Sequence, residues 1–68
     1  MAGWEKVYST EQLYKAEIVK DILEEHGLSP IVLNKKESAL HIGLCEVLVI
    51  RDEVLQALKI IEDDIKLE

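Results

Sequence analysis

The segment EVLVI, residues 46–50, is the feature that most restricts how this chain can fold. An almost unbroken apolar run of this length, rich in β-branched residues, is typical of a strand at the centre of a sheet. Side chains alternate along a strand, so Val47 and Val49 point to one face while Leu48 and Ile50 point to the other. The centre of the sheet is therefore predicted to be apolar on both faces.

Two further segments are predicted to form the neighbouring strands. Residues 4–9 (WEKVYS) alternate and contain strand-forming residues, and residues 31–34 (IVLN) are short and β-branched. The central strand is predicted over residues 45–50. Residues 35–44 are predicted to form the loop between the second and third strands.

Two helices are predicted, over residues 10–26 and residues 52–64. Ser9 and Gln12 have the spacing of a capping box, in which each side chain binds the other residue's backbone amide. Gly27 is predicted to end the first helix, because glycine readily adopts the left-handed conformation, and Pro30 prevents the helix from resuming. Asp52 is predicted to cap the second helix.

Apolar residues recur at three- and four-residue steps along both predicted helices, which indicates one buried stripe on each. Acidic residues occupy the remaining faces and are typical of solvated surface. The predicted stripes consist of Leu13, Ala16, Ile18, Val19, Ile22 and Leu23 on the first helix and of Val54, Ala57, Leu58, Ile61 and Ile65 on the second.

The predicted order is strand, helix, strand, strand, helix, in a single domain of residues 1–68. A right-handed crossover between the first two strands, followed by a hairpin, places the third strand in the middle of the sheet. The predicted fold is therefore α+β, a two-layer sandwich with an antiparallel sheet of order 1-3-2 and both helices on one face. This arrangement is ferredoxin-like without its last strand.

Charge and composition narrow the function. The net charge of -6 repels a polyanion, so nucleic acid is not an expected partner. One cysteine and an N-terminus without a signal-peptide pattern favour a reducing cytoplasm. No apolar run approaches the roughly 20 residues that span a bilayer, so a soluble protein without a membrane partner is expected.

The second face of the sheet is expected to be an interface. Two helices cover only one face, and the other retains large apolar side chains of the kind that mark contact surfaces. We expect a homo-oligomer, most simply a dimer, that uses this face or the edge of the first strand. The alternative is that the N-terminal residues or the 35–44 loop fold over the face. Trp4 and Tyr8 are predicted to fall on one side of the first strand, and the candidate interface residues are Trp4, Tyr8, Leu48 and Ile50.

The chemical candidates do not form a recognisable catalytic or metal motif. His26, His41 and Cys45 lack the spacing of a four-ligand zinc site, and no glycine-rich phosphate loop is present. We expect no enzyme activity, no cofactor and no metal. The alternatives are a metal site shared across an oligomer with Glu37 or Glu46, and a nucleophilic Cys45, for which rapid alkylation would be the sign.

A basic pair in the predicted loop is the remaining candidate. Lys35 and Lys36, with His41, are the candidates for contact with an anionic ligand or an acidic partner. The alternative is that the lysines only solvate the end of the hairpin and discourage edge pairing.

The stretch VYSTEQLYKAEIVKDILEEHGLSPIVLN, followed by an apolar strand and a short second helix, resembles a family of small bacterial domains called "putative prokaryotic signal-transducing proteins". The resemblance covers about residues 4 to 63. It implies a ferredoxin-like split strand-helix-strand fold, similar to that of the nitrogen-regulatory PII proteins. In those relatives the connection between the second and third strands engages partners, and residues 34–45 correspond to it here. A proline that family members often carry after the third strand is replaced by Arg51.

The expected function is a small, non-enzymatic regulatory or protein-interaction module that takes part in signal transduction and self-associates through its sheet. The alternative is a domain that senses a small anion or other effector with the loop between the second and third strands. The sequence identifies neither the effector nor the protein partner.

Overall fold

The computed structural model describes residues 3–37 and 42–64, which form a three-stranded antiparallel sheet and two α-helices. The sheet order is β1-β3-β2, so the predicted α+β fold and the central position of the third strand are confirmed. The elements are β1 (Trp4–Thr10), α1 (Leu13–Glu25), β2 (Ile31–Glu37), β3 (Ile42–Ile50), a 3-10 turn (Arg51–Glu53) and α2 (Val54–Asp64).

The two faces of β3 differ in burial, because one of them meets the core. Val47 and Val49 are fully buried, and Cys45 is 3% exposed on the same side. Leu48 and Ile50 point to the other face, as predicted, and Ile50 is 38% exposed. We call these the core face and the outer face of the sheet.

The core cluster joins both helices to the core face. Its buried residues are Ala16, Val19, Leu23 and Leu28, Cys45, Val47 and Val49, and Ala57 and Ile60. Residues of both helices thus share one cluster with the same three β3 side chains, while the placement of both helices on one face of the sheet stays a prediction.

A β-bulge in β1 changes the predicted alternation of its side chains. The register shifts between Lys6 and Tyr8, so Lys6 lies opposite Leu48 but Tyr8 lies opposite Val47. One extra residue in a strand turns the following side chains to the other face. Tyr8 consequently packs against the core, and the prediction that Trp4 and Tyr8 share one side of the sheet is wrong.

The β2–β3 hairpin is longer than predicted. β2 continues to Glu37 and β3 begins at Ile42, so the loop predicted over residues 35–44 is wrong at both ends. Asn34 to Glu37 pair one by one with Cys45 to Ile42. A polar edge strand can extend in this way because its outer groups remain solvated while its ladder bonds reach β3.

The helix starts also differ from the predicted caps. Ser9 and Thr10 belong to β1 and pair with Glu46 and Cys45, so Ser9 cannot cap α1 and the predicted capping box is wrong. Gln12 is the residue before α1, and its backbone N–H donates to Thr10 Oγ1 at 3.2 Å. At the other helix, Asp52 lies within the 3-10 turn, which has no side-chain cap.

The end of α1 agrees with the prediction. Gly27 has a φ of 87°, the left-handed value that glycine tolerates best. The backbone N–H of Leu28 donates to Leu23 O at 3.1 Å, and that of Gly27 donates to Glu24 O at 3.0 Å. These two bonds form a Schellman motif, and Leu23 and Leu28 complete it by packing into the same core.

The buried stripes of the helices are narrower than predicted. Leu13 is 45% exposed and Ile18 is 39% exposed on α1. On α2 the buried side chains are Ala57, as predicted, and Ile60, which was not predicted, whereas Leu58 is 44% exposed. Ile65 lies outside the described residues.

Candidate functional site

The outer face of the sheet combines apolar side chains with one cluster of charge. Residues that pair across antiparallel strands point to the same face, so the register identifies its members. Leu48 lies between Lys6 of β1 and Ile31 of β2, while Glu46 lies opposite Leu33. The members considered below are Trp4, Lys6, Ile31, Leu33, Lys35, Glu46, Leu48 and Ile50.

A carboxylate on the central strand binds lysines from both neighbouring strands. Lys35 Nζ lies 3.2 Å from Glu46 Oε1, and Lys6 Nζ lies 3.9 Å from Glu46 Oε2. The Glu46 side chain is 11% exposed, whereas the Lys6 and Lys35 side chains are 54% and 62% exposed. We call Lys6, Glu46 and Lys35 the charge triad, which links all three strands.

The triad compensates a charge that would otherwise be costly. Among the residues whose burial the structure describes, Glu46 is the one buried polar or charged residue. A carboxylate removed from water without partners carries a large free-energy penalty, which opposite charges at this distance reduce. Two lysines and one glutamate leave the triad with a net charge of +1 at neutral pH.

An apolar corner lies at the other end of the outer face. Trp4 pairs with Ile50, and Leu48 is the next β3 residue on that face. Trp4 is partly buried, Leu48 is 8% exposed and Ile50 is 38% exposed. A shallow depression that includes Ile50, Gly3 and Arg51 adjoins the corner. We call Trp4, Leu48 and Ile50 the apolar corner.

The predicted interface residues are therefore only partly together. Trp4, Leu48 and Ile50 share the outer face, but the bulge places Tyr8 opposite Val47 on the core face. The alternation signal predicted the faces of β3 correctly, because β3 is regular. It could not reveal an inserted residue in β1.

The structure describes the environment of only one of the three predicted ligand contacts, Lys35, Lys36 and His41. Lys35 is a strand residue of the charge triad, and Lys36 occupies the next register position, opposite Gly43. The side chain of Lys36 and the whole of His41 lie outside the described residues. Only Lys35 among these candidates therefore has a described environment.

Sequence reasoning missed Lys6 as a partner of Glu46 and Lys35. The signal it could have used is a glutamate that begins an otherwise apolar central strand, since such a residue needs an opposite charge nearby. Which lysine meets it depends on the strand register, because a shift of one residue turns a side chain to the other face.

His26 and Cys45 both take part in contacts that stabilise the fold. Cys45 is buried in the core cluster, and Nδ1 of His26 donates to Ile22 O at 2.9 Å at the end of α1. Within the part of the chain that the structure describes, no group of three or more His, Cys, Asp or Glu side chains is placed to hold a metal ion. Over the same residues, neither helix has the length and apolar character required to cross a membrane.

Comparison with curated proteins and with solved structures gave no significant match to either. A family model described as "Putative prokaryotic signal transducing protein" matches residues 4–64. That range includes every strand and helix described above, together with the charge triad and the apolar corner. The chain therefore belongs to the family of "putative prokaryotic signal transducing proteins".

Proposed function

We propose that this protein is a small, non-enzymatic, cytoplasmic interaction module in signal transduction, and that it self-associates through the outer face of its sheet. The family description supports the signalling role. The burial of Cys45 argues against its use as a catalytic nucleophile, because a thiol inside the core is inaccessible to a substrate. A lone cysteine also favours a reducing compartment.

The observation that carries the proposal is the apolar corner. Ile50 and Trp4 lie side by side at one end of the outer face, and Ile50 is 38% exposed to solvent. Apolar groups gathered on a sheet face are a common basis for association, and Trp is a frequent interface anchor. A dimer with a two-fold axis near the corner would bury both copies of Trp4 while leaving the charge triad at its margin.

The test is a lysine substitution in the corner. Ile50→Lys introduces a charge on the outer face, so we expect it to shift the protein from dimer to monomer in sedimentation velocity at low micromolar concentration. Leu55→Lys is the matched control, because Leu55 is 83% exposed on α2 and lies outside the sheet. A monomeric wild type, or equal effects of both substitutions, would refute the proposal.

A second candidate function is the sensing of a small anion near the β2–β3 hairpin. Lys35 supports it, because its side chain is 62% exposed and its ammonium group shares the Glu46 carboxylate with that of Lys6. A thermal-shift screen with anionic metabolites tests this candidate. Stabilisation that disappears in Lys35→Ala/Lys36→Ala would favour the sensor, whereas an unresponsive wild type would favour the interaction module.

A further inference from the structure

We propose that the charge triad is the docking site for an acidic segment of a partner protein, which places a carboxylate between Lys6 and Lys35 and an apolar side chain against Leu33. This inference rests on the proposed role as an interaction module. It does not rest on self-association through the apolar corner, which involves other side chains.

The solvent-exposed side of the triad is formed by its lysines and not by its glutamate. The Glu46 side chain is 11% exposed, while its two lysines are 54% and 62% exposed. An approaching molecule therefore meets ammonium groups, and the carboxylate that they share lies beneath them. The triad is thus positive in a chain whose net charge is -6.

The charge balance selects an anionic partner. The triad has one positive charge in excess, and a partner that covered it with apolar surface alone would remove that charge from water without compensation. A carboxylate supplied by the partner neutralises the excess and accepts hydrogen bonds from both lysines. The triad of a second copy is itself net positive, so two triads pressed together would repel each other.

The side chains around the triad indicate an extended segment of mixed character. Leu33 lies opposite Glu46, and Lys35 follows two residues later on the same face of β2. A bound strand alternates its side chains with the same two-residue period along one face. Acidic residues separated by one residue from apolar ones therefore match the order of Lys35 and Leu33.

The experiment uses the full chain and two synthetic peptides, one with the repeat Glu-Ser-Leu-Ser and the other with the repeat Gln-Ser-Leu-Ser, which place Glu or Gln and Leu two residues apart on one face of an extended segment. Binding is measured by calorimetry and by the fluorescence of Trp4, the single tryptophan, which lies on the outer face near Lys6. We expect the Glu peptide to bind and the Gln peptide to bind about tenfold more weakly, as the loss of two exposed ion pairs predicts. We also expect added salt to weaken the binding of the Glu peptide.

Three variants then assign the site. Lys6→Gln/Lys35→Gln should weaken the binding of the Glu peptide about tenfold. Lys59→Gln is the matched control, because Lys59 is 80% exposed and pairs with Asp63 on α2, and it should leave affinity unchanged. Glu46→Gln raises the net charge of the triad to +2 and should strengthen binding several-fold, a gain that damage to the fold cannot produce.

Several results would overturn the proposal. They are absence of binding by the Glu peptide, equal binding by the two peptides, unchanged affinity in the double lysine variant, or weaker binding by Glu46→Gln. Equal competition by free glutamate or inorganic phosphate would assign the triad to a small anion instead. Sedimentation of Ile50→Lys tests self-association independently, so the two proposals can fail separately.

Discussion

Glu46 shows how one charged residue can occupy a central strand that is otherwise apolar. It faces away from the core cluster, and its carboxylate meets lysines from both edge strands at 3.2 and 3.9 Å. The lysine stems can also cover apolar surface while their ammonium groups remain in water. The triad is thus a cross-strand contact that favours one register of all three strands.

The triad predicts a specific pattern of stabilities. Lys6→Met/Lys35→Met leaves the buried carboxylate unpaired, and we expect a loss of about 1 kcal/mol in the free energy of unfolding, since water screens half-exposed lysines. Adding Glu46→Leu should recover that loss, because apolar replacement of a whole charge cluster is often neutral or stabilising. Urea unfolding measures both. A triple variant as unstable as the double variant would contradict this explanation.

Gly27 predicts a conformational cost at a single residue. Its φ of 87° strains any side chain, although a Cβ there would meet no atom within 4 Å. We therefore expect Gly27→Ala to destabilise the protein by about 1 kcal/mol through the backbone alone. Gly43→Ala is the control, since Gly43 has equal space and no positive φ. Thermal unfolding of the two variants should differ clearly, and equal melting temperatures would disagree with this reasoning.

Helix α1 depends on the core more than on its own capping. It has no side-chain N-cap bond and no acidic residue in its first turn. Its attachment comes from Ala16, Val19 and Leu23, which are fully buried, and from the Schellman motif at its end. Short helices generally obtain most of their stability from such packing.

This dependence predicts a large effect of truncation at Leu23. Leu23→Ala should cost about 2–5 kcal/mol, because Leu23 is fully buried and its removal leaves a cavity. A chain of this length has a total stability of only about 3–10 kcal/mol, so the variant should be partly unfolded. Leu55→Ala, at an 83% exposed position, should stay within about 0.5 kcal/mol of the wild type. Circular dichroism and urea unfolding distinguish the two, and similar losses would argue against this core.

At the scale of the whole molecule, charge opposes the proposed self-association. Each chain has a net charge of -6, so two copies repel at low ionic strength. We expect dimerisation to strengthen between about 0.01 M and about 1 M salt, as the Debye length falls from about 30 to about 3 Å. Sedimentation equilibrium measures the change. A dimer that weakens with salt would instead indicate an interface held by attraction between charges.

Self-association also predicts that thermal stability depends on concentration. The melting temperature of the wild type should rise with protein concentration, because assembly stabilises only the folded state. Ile50→Lys should show no such rise if it is monomeric. Differential scanning calorimetry at several concentrations tests this, and a wild-type melting temperature independent of concentration would count against the dimer.

The sequence by itself determined the features that depend on neighbouring residues. The apolar run at residues 46–50 identified the central strand and its two faces, and Gly27 identified the end of α1. The order of elements, together with the preference for right-handed crossovers, was sufficient for the β1-β3-β2 sheet. These signals lie within short segments of the chain, so the rules for strand alternation, helix ends and crossover handedness can be applied to them without knowledge of the tertiary structure.

The tertiary structure alone decided how the strands align. The bulge after Lys6 turned Tyr8 to the core, and pairing with β3 extended β2 through Lys35 to Glu37. Lys6, Glu46 and Lys35 are distant in sequence and meet only because two strand registers bring them to one face. Register is set by the sum of many cross-strand bonds and side-chain contacts, which no short segment contains. The charge triad is therefore a property of the assembled sheet.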